Sequence, residues 1–400
     1  MPQQSTNKSL LITISVFLFI ITSTFLITLI ARGYQLDFNQ PSGIKATGLL
    51  SATSKPKSAS VYIDDRLFTA TDDTINLPPD EYHIKIVKDG YLPWEKTIQI
   101  KKETVYQTDT QLFRSVPDLK PITFTGALNP QASPDFSRIV YAVASASASK
   151  DNGLYIIELN NNLIPVNRNS TRQIAPNYPN IDWSKFTFTF SPDSREILAT
   201  SPQNVSYLLR LDTPITTSNL YDITVRLPLI KEDWEKQEQL NLSVKIDKLP
   251  KVIQSLVSTQ SAQHIQLSPD ENKFLYLASQ DGSISPNIIT PPPAQSTQPQ
   301  QRQVKANHYY VYDLKDDTNF EIGSSEDILN PTWLPLSNNI LFVQNSKMIV
   351  IEYDNTNKHT IFAGDFNQQV VFPWSDGNRI VTLTTPYQGA AHNLFSLTIR

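Results

Sequence analysis

The sequence of 400 residues predicts a mainly β protein: one N-terminal transmembrane helix, a small antiparallel β-domain, then a β-propeller of about five to six blades. Three observations predict it. Residues 9–31 form a run of 23 positions without a charge, between Lys8 and Arg32. From Gly43 to about Phe113 apolar and polar residues alternate in short runs separated by turn clusters. Beyond that, Ser-Pro-Asp recurs at Ser133-Pro134-Asp135, Ser191-Pro192-Asp193 and Ser268-Pro269-Asp270, each Ser six positions ahead of a β-rich run that opens at Ile139, Ile197 or Phe274.

After a tail of residues 1–8, the uncharged run 9–31 spans about 35 Å as a helix, enough for a hydrocarbon core of roughly 30 Å. Its Ser and Thr residues can bond a carbonyl one turn back within the helix. A cleaved signal peptide is the alternative, but the run exceeds the usual h-region of about 7–15 residues, and Leu29-Ile30-Ala31 makes a poor cleavage site. The reading is therefore an uncleaved anchor in contact with the lipid bilayer. Lys8 stands on one side and Arg32 and Lys45 on the other, a weak bias against export, yet large domains translocate regardless of such charges. The short tail favours N-in with the C-terminal domains extracytoplasmic.

In the segment 43–114, strands are expected at Ser60-Val61-Tyr62-Ile63, from Tyr82 to Val87, and at Thr97-Ile98-Gln99-Ile100. Turns are expected at Asp64-Asp65, Pro78-Pro79-Asp80-Glu81 and Lys88-Asp89-Gly90. Together with Ser54-Lys55-Pro56, Ala59, Thr71, Leu77 and Tyr91, these residues resemble the PEGA domain, a small β-module. It departs from that pattern where Asp65 and Asp80 replace Gly, and Asp tolerates left-handed backbone angles. The resemblance implies an exported or surface-anchored protein and supplies no catalytic residue. The acidic pairs Asp64-Asp65 and Asp72-Asp73 lack the spaced oxygen ligands of a calcium loop and read as turn residues.

Residues 121–400 repeat strand, turn, strand. Second strands are expected at Leu154–Ile157, Tyr207–Leu209, Tyr309–Tyr312, Ile349–Ile351 and Leu394–Leu397, with polar turns such as Asn160-Asn161-Asn162. In the motif, Pro fixes φ while Ser and Asp bond nearby amides. Two degraded copies follow at Trp333-Leu334-Pro335-Leu336 and Trp374-Ser375-Asp376-Gly377, the last one residue shorter. The apolar residues ahead (Ala132, Phe190, Leu267, Trp333, Trp374) are expected to pack between blades. These units resemble the WD40-like repeats of TolB-type propellers, where Trp-Ser-Pro-Asp-Gly precedes the strand. Two segments break the period. An insertion over 230–260 is spaced like short amphipathic helices, and the loop 285–305, with its Pro and Gln runs, reads as low-complexity and disordered.

Composition narrows the chemistry. A formal net charge of -4 gives no basic field for nucleic acid, and 0 Cys excludes disulfides, Cys-zinc sites and thiol nucleophiles. No Gly-x-Ser-x-Gly elbow, His-Glu-x-x-His helix or Gly-rich phosphate loop occurs. The five His (His83, His264, His308, His359, His392) are scattered. Asp135, Asp193 and Asp270 could form a ring resembling a carboxylate site, but a residue demanded by every repeat is ordinarily a turn residue. No catalytic, cofactor or metal residue is therefore assigned. The sequence reads as a membrane-anchored, extracytoplasmic binding or scaffolding protein without catalysis; the resemblance to PEGA-domain surface proteins implies a bacterial source and an envelope protein or a wall polysaccharide as partner. An envelope hydrolase at the propeller mouth and a cytoplasm-facing recruiter are the alternatives.

Overall fold

The computed structural model describes residues 5–31, 34–36, 44–159, 171–213, 215–255, 264–385, 387 and 389–400. The expected turn Asn160-Asn161-Asn162 lies outside the described residues. The chain divides into two compact units, Met1–Leu112 with Pro291–Gln298, and Phe113–Thr290 with Pro299–Arg400.

The first unit opens with α1 (Ser5–Ala31). Its stretch Leu10–Leu29 has a mean hydropathy of 2.6, and none of it is buried among the described residues. Thr22 and Thr28 donate to the carbonyls of Leu18 and Thr24, both at 2.7 Å, so these hydroxyls are satisfied within the helix and add little polarity to its surface. Such a helix fits a single-pass anchor or a signal sequence.

The β-domain that follows contains β1 (Gly48–Ala52), β2 (Ser60–Ile63), β3 (Arg66–Ala70), β4 (Asp73–Leu77), β5 (Asp80–Val87), β6 (Trp94–Ile100) and β7 (Val105–Gln107). One sheet has the order β3-β2-β5-β6 and another β7-β1-β4. Leu50, Ala52, Val61, Ile75, Ile84, Ile86, Trp94 and Ile98 are buried in one cluster, the apolar half of the alternating pattern. The domain is not wholly antiparallel, because β7 runs parallel to β1. A parallel pair needs a long crossover, so this partnership left no hairpin signal. Asp64 and Asp65 both take left-handed angles, φ 48 and 63, as the turn between β2 and β3 requires. Asp80 differs from expectation: it lies in β5, and its carboxylate accepts from the Glu81 amide at 2.9 Å.

Among the described residues the second unit holds five sheets of three or four strands and one two-stranded pair. The first is β9 (Leu128–Ala132), β10 (Arg138–Val143), β11 (Gly153–Glu158) and β12 (Thr171–Pro176). The second is β13 (Thr187–Phe190), β14 (Glu196–Thr200) and β15 (Ser206–Arg210). After α2 (Leu227–Asp247) and α3 (Lys251–Gln254) comes the third, β16 (Gln266–Leu267), β17 (Lys273–Leu277), β18 (His308–Asp313) and β19 (Thr318–Ser324). The fourth is β20 (Leu329–Trp333), β21 (Asn339–Gln344), β22 (Lys347–Glu352) and β23 (His359–Ala363). The fifth, β24 (Phe366–Pro373), β25 (Arg379–Thr384) and β26 (Asn393–Thr398), is completed by an early strand, β8 (Asp118–Pro121). That strand lies ahead of most of the expected 121–400 segment, and its pairing with β26 closes the ring.

Neighbouring sheets share apolar faces. Val140, Ala142 and Ile156 of the first pack with Phe188, Phe190 and Ile197 of the second, and Leu275 and Val311 of the third with Trp333, Ile340 and Phe342 of the fourth. Tyr141 and Ile157 of the first meet Phe372, Val381 and Leu394 of the fifth. The third sheet breaks this rule on its other face. There Phe274, Tyr276, Tyr310 and Tyr312 are covered by Leu249 and Ile253 of the helical insertion and by Ile284 and Val304. Helix and loop thus do what a sheet does elsewhere, which is why the repeat period fails over 230–260. The loop 285–305 is not featureless: Gly282–Ser283 pairs with Gln303–Val304, and Arg302 is bound to the buried Asp317 at 3.1 Å. Within the first unit, Gln298 donates to the Thr97 carbonyl at 2.6 Å and the Gln99 amide to Thr297 at 3.3 Å.

The fifth motif corrects the expected register. In the first three copies the Ser amide donates to the carbonyl five residues on, Ser133 to Arg138, Ser191 to Glu196 and Ser268 to Lys273. Leu334 makes that bond to Asn339 and Trp374 makes it to Arg379. Trp374 therefore stands in the Ser position, and Pro373, paired with Ile380, is the residue ahead of the motif. The Trp374 ring packs in the apolar seam between the first and fifth sheets, as expected, and also carries the Arg379 guanidinium 3.8 Å from its centroid.

One residue of every motif turn has positive φ: Phe136 (52), Ser194 (61), Glu271 (56), Ser337 (62) and Gly377 (66). Only at Gly377 is it glycine, and there a Cβ would lie 3.0 Å from a methyl carbon of Leu336 in the preceding motif. Gly377→Ala is expected to destabilise the protein by about 1–3 kcal/mol, from strained backbone and crowding together. Thermal unfolding of the variant checks this; an unchanged midpoint would refute it.

Candidate functional site: the motif turns and the inner strands

The three motif carboxylates are held inside their own turns. Asp135, Asp193 and Asp270 each accept from the hydroxyl of the Ser two residues earlier, at 2.6 Å in all three copies. They also accept the amides of Ser137, Arg195 and Asn272 at 3.0, 3.1 and 3.3 Å. Each Ser hydroxyl in turn accepts the first amide of the coming strand, at 3.0 Å from Arg138 and 2.9 Å from Glu196 and Lys273.

All three carboxyls stay below the usual carboxylate range. Burial acts to raise Asp135, but hydrogen bonds from Ser133, Ser137 and Ser194 outweigh it. For Asp193 the Ser191 hydroxyl is the chief cause. Burial opposes again at Asp270, where Ser268, Asn272 and Lys273 prevail. Arg138, just after the first motif, donates to the Ser194 carbonyl of the second at 3.2 Å, and Ser337 of the fourth accepts the Asp270 amide of the third at 3.0 Å. At Ser337 the left-handed residue is not glycine, and its hydroxyl ties adjacent turns.

The first strand of each sheet lies at its edge, and these edges approach one another, β9 with β13 and β24, β16 with β20. They form the inner rim of the ring. Their sequences are Leu-Asn-Pro-Gln-Ala, Thr-Phe-Thr-Phe, Gln-Leu, Leu-Asn-Pro-Thr-Trp and Phe-Asn-Gln-Gln-Val-Val-Phe-Pro. None contains an ionisable side chain. Apolar members such as Phe188, Phe190, Trp333 and Phe372 are buried between sheets, leaving amides and hydroxyls at the surface, among them Asn129, Gln131, Thr189, Asn330 and Gln369.

Side-chain amides also cross the seams. Asn129 donates to the carbonyls of Ser184 and Phe186 at 3.1 and 2.8 Å, and Gln266 to that of Pro331 at 2.8 Å. Asn330 reaches the Gln368 carbonyl at 3.4 Å. Asn129 and Asn330 both have φ 50 and both precede Pro. The repeated Leu-Asn-Pro, Leu128-Asn129-Pro130 and Leu329-Asn330-Pro331, is the signal sequence reasoning missed; it lies at one fixed distance ahead of the motif turn.

Apart from His264, which stands four residues ahead of its motif turn as Asn129 and Asn330 do, ionisable groups lie outside the inner strands. A cleft of about 620 Å³ beside the first two motif turns is lined by Arg138, Asp193, Arg195, Glu196, Arg210 and Asp212. Its three guanidiniums face three carboxylates, and Arg210 is bound to Glu196 and Arg138 to Glu158, both at 3.2 Å. Burial pushes the Asp313 carboxyl up against the pull of Lys273, but Asp313 ends β18 and accepts the Lys315 and Asp316 amides at 2.8 and 3.0 Å. His83 lies 3.8 Å from Glu95, His308 2.7 Å from Glu321, and His264 3.3 Å from the Tyr309 hydroxyl. His359 sits in β23, and His392 offers its carbonyl to Ala127. Among the described residues no three His, Asp or Glu gather as a metal site. In the β-domain, Asp64 accepts the His83 amide at 3.0 Å and Asp72 that of Ser54 at 3.2 Å.

Comparison with known families agrees with the geometry of the first unit: the match spans residues 47–115. These residues are a PEGA domain. No curated protein sequence matches the chain. Among solved structures, the putative TolB of Agrobacterium tumefaciens is similar at 10% identity and a TM-score of 0.21, over 89% of this chain and 99% of that one. TolB of Acinetobacter baumannii is similar at 15% and 0.20, over 80% and 60%. The β-propeller domain of the trilobed protease of Pyrococcus furiosus is similar at 9% and 0.22, over 88% and 96%. The PEGA domain is followed by a mainly β propeller unit in which the early strand β8 pairs with the last strand, β26.

The depressed motif carboxyls make stability acid-sensitive. A carboxyl with a lowered folded pKa contributes stability above its unfolded pKa of about 3.9, and loses it as pH falls through the folded value. The thermal midpoint is expected to drop on acidification below about pH 4. Combining Asp135→Asn, Asp193→Asn and Asp270→Asn should lower the neutral-pH midpoint and flatten the acid limb. An acid limb unchanged in the triple variant would refute this assignment.

Proposed function

We propose that this protein is a membrane-anchored, extracytoplasmic binding and scaffolding device without a catalytic role, built from an anchor at 9–31, a PEGA-type module within 43–114 and a propeller over 121–400. Its partner is a cell-envelope protein or a wall polysaccharide. The observation that supports this best is the inner rim, where five strands present amides and hydroxyls but no carboxylate, imidazole or ammonium. Carboxylate-driven hydrolysis needs an acid and a base flanking the bond. The repeated carboxylates are instead committed to turn hydrogen bonds. A rigid ring carrying adaptable loops suits recognition, and an anchor with one short tail keeps that ring near the bilayer.

The test is protease shaving of intact cells that carry a tag after Arg400, with lysed cells as control. Loss of the tag from intact cells is expected. Protection until lysis would place the propeller inside and overturn the extracytoplasmic reading.

A further inference from the structure

We propose that the inner rim of the propeller binds a neutral, N-acetylated glycan chain; this deepens the binding reading above and rests on it. Charge argues first. A ligand carrying carboxylate or phosphate would leave its hydration shell for a rim whose strands hold no cationic side chain, an uncompensated cost. A neutral ligand pays no such cost.

The rim geometry argues against an extended polypeptide. A peptide would add to an open strand edge through its backbone, and the edges of β9 and β20 are blunted. Pro130 and Pro331 have no amide hydrogen to offer, and Asn129 and Asn330 sit in left-handed bulges where the register breaks, between Leu128 and Gln131 and between Leu329 and Thr332. β24 is likewise irregular between Phe366 and Val371. Recognition must then pass through side chains.

Those side chains suit a sugar. An amide both donates and accepts, matching hydroxyls and the acetamido group alike. Asn129 and Asn330 spend their NH₂ groups on the neighbouring sheet, which holds each amide in one orientation. Gln131, Thr187, Thr189 and Gln369 are exposed beside them. Leu128 and Leu329, 40% and 37% exposed, supply aliphatic surface for the C–H face of a sugar ring.

The experiment is calorimetric titration of the full-length protein in detergent with chitin hexasaccharide. A hyaluronan oligosaccharide, which bears a carboxylate on every second sugar, serves as the charged comparison. Saturable binding of the chitin oligomer, weaker binding of hyaluronan, and about a tenfold loss of affinity in Gln131→Leu/Gln369→Leu are expected, the loss corresponding to about 1.4 kcal/mol. Should the double variant melt early, the near-isosteric single variant Gln131→Glu takes its place, with the same loss expected. No saturable binding at millimolar sugar, equal binding of hyaluronan, or unchanged affinity in a well-folded variant would each overturn the glycan assignment. Tag loss on shaving with no sugar binding would leave the binding protein standing and remove only this ligand.

Discussion

Ring closure is the constraint on which the propeller depends. Leu119 pairs with Leu397 and Pro121 with Phe395, so contacts between the two ends of the unit must form before the first and fifth sheets can share a core. The length-dependent entropy of closing such a loop is about 5 kcal/mol. Burying apolar side chains such as Ile157, Phe372, Val381 and Leu394 between those sheets contributes about 1.5–3 kcal/mol each. Burial at the seam opposes that cost.

Within the ring the same two devices recur at opposite ends of the inner strands. At one end the motif turn bonds itself, and its left-handed residue meets the motif before it, as Ser194 does through its carbonyl with Arg138 and Ser337 through its hydroxyl with Asp270. At the other end, amides such as Asn129 and Asn330 reach forward to the next sheet. The left-handed residue of the third motif has no such neighbour in the second sheet. Glu271 is bound to Lys248, just past α2, at 2.9 Å. The exception falls where helices stand in for a sheet.

Both devices use up polar groups that a reader of the sequence might assign to chemistry. The serine and aspartate of each repeat resemble a nucleophile and an acid, yet their hydrogen bonds run to each other and to amides within five residues. The rim left over is polar without being ionic, a surface suited to recognition rather than proton transfer.

The apolar run of α1, the alternating strands of the PEGA domain and the Ser-Pro-Asp turns were legible in the sequence because each rests on contacts within a few residues. The register of Trp374 was not, since a Trp in the Ser position looks like the Trp of the motif until its amide bond to Arg379 is seen. Nor was the parallel pairing of β7 with β1, which joins residues some 56 positions apart. The substitution of α2 and α3 for a sheet and the uncharged inner rim were decided only by tertiary structure. Local hydrogen bonds can be read from spacing, but which faces meet around a ring depends on which distant residues bury one another. By itself the sequence determined the turns and the strands; their circular arrangement determined what surface was left to bind.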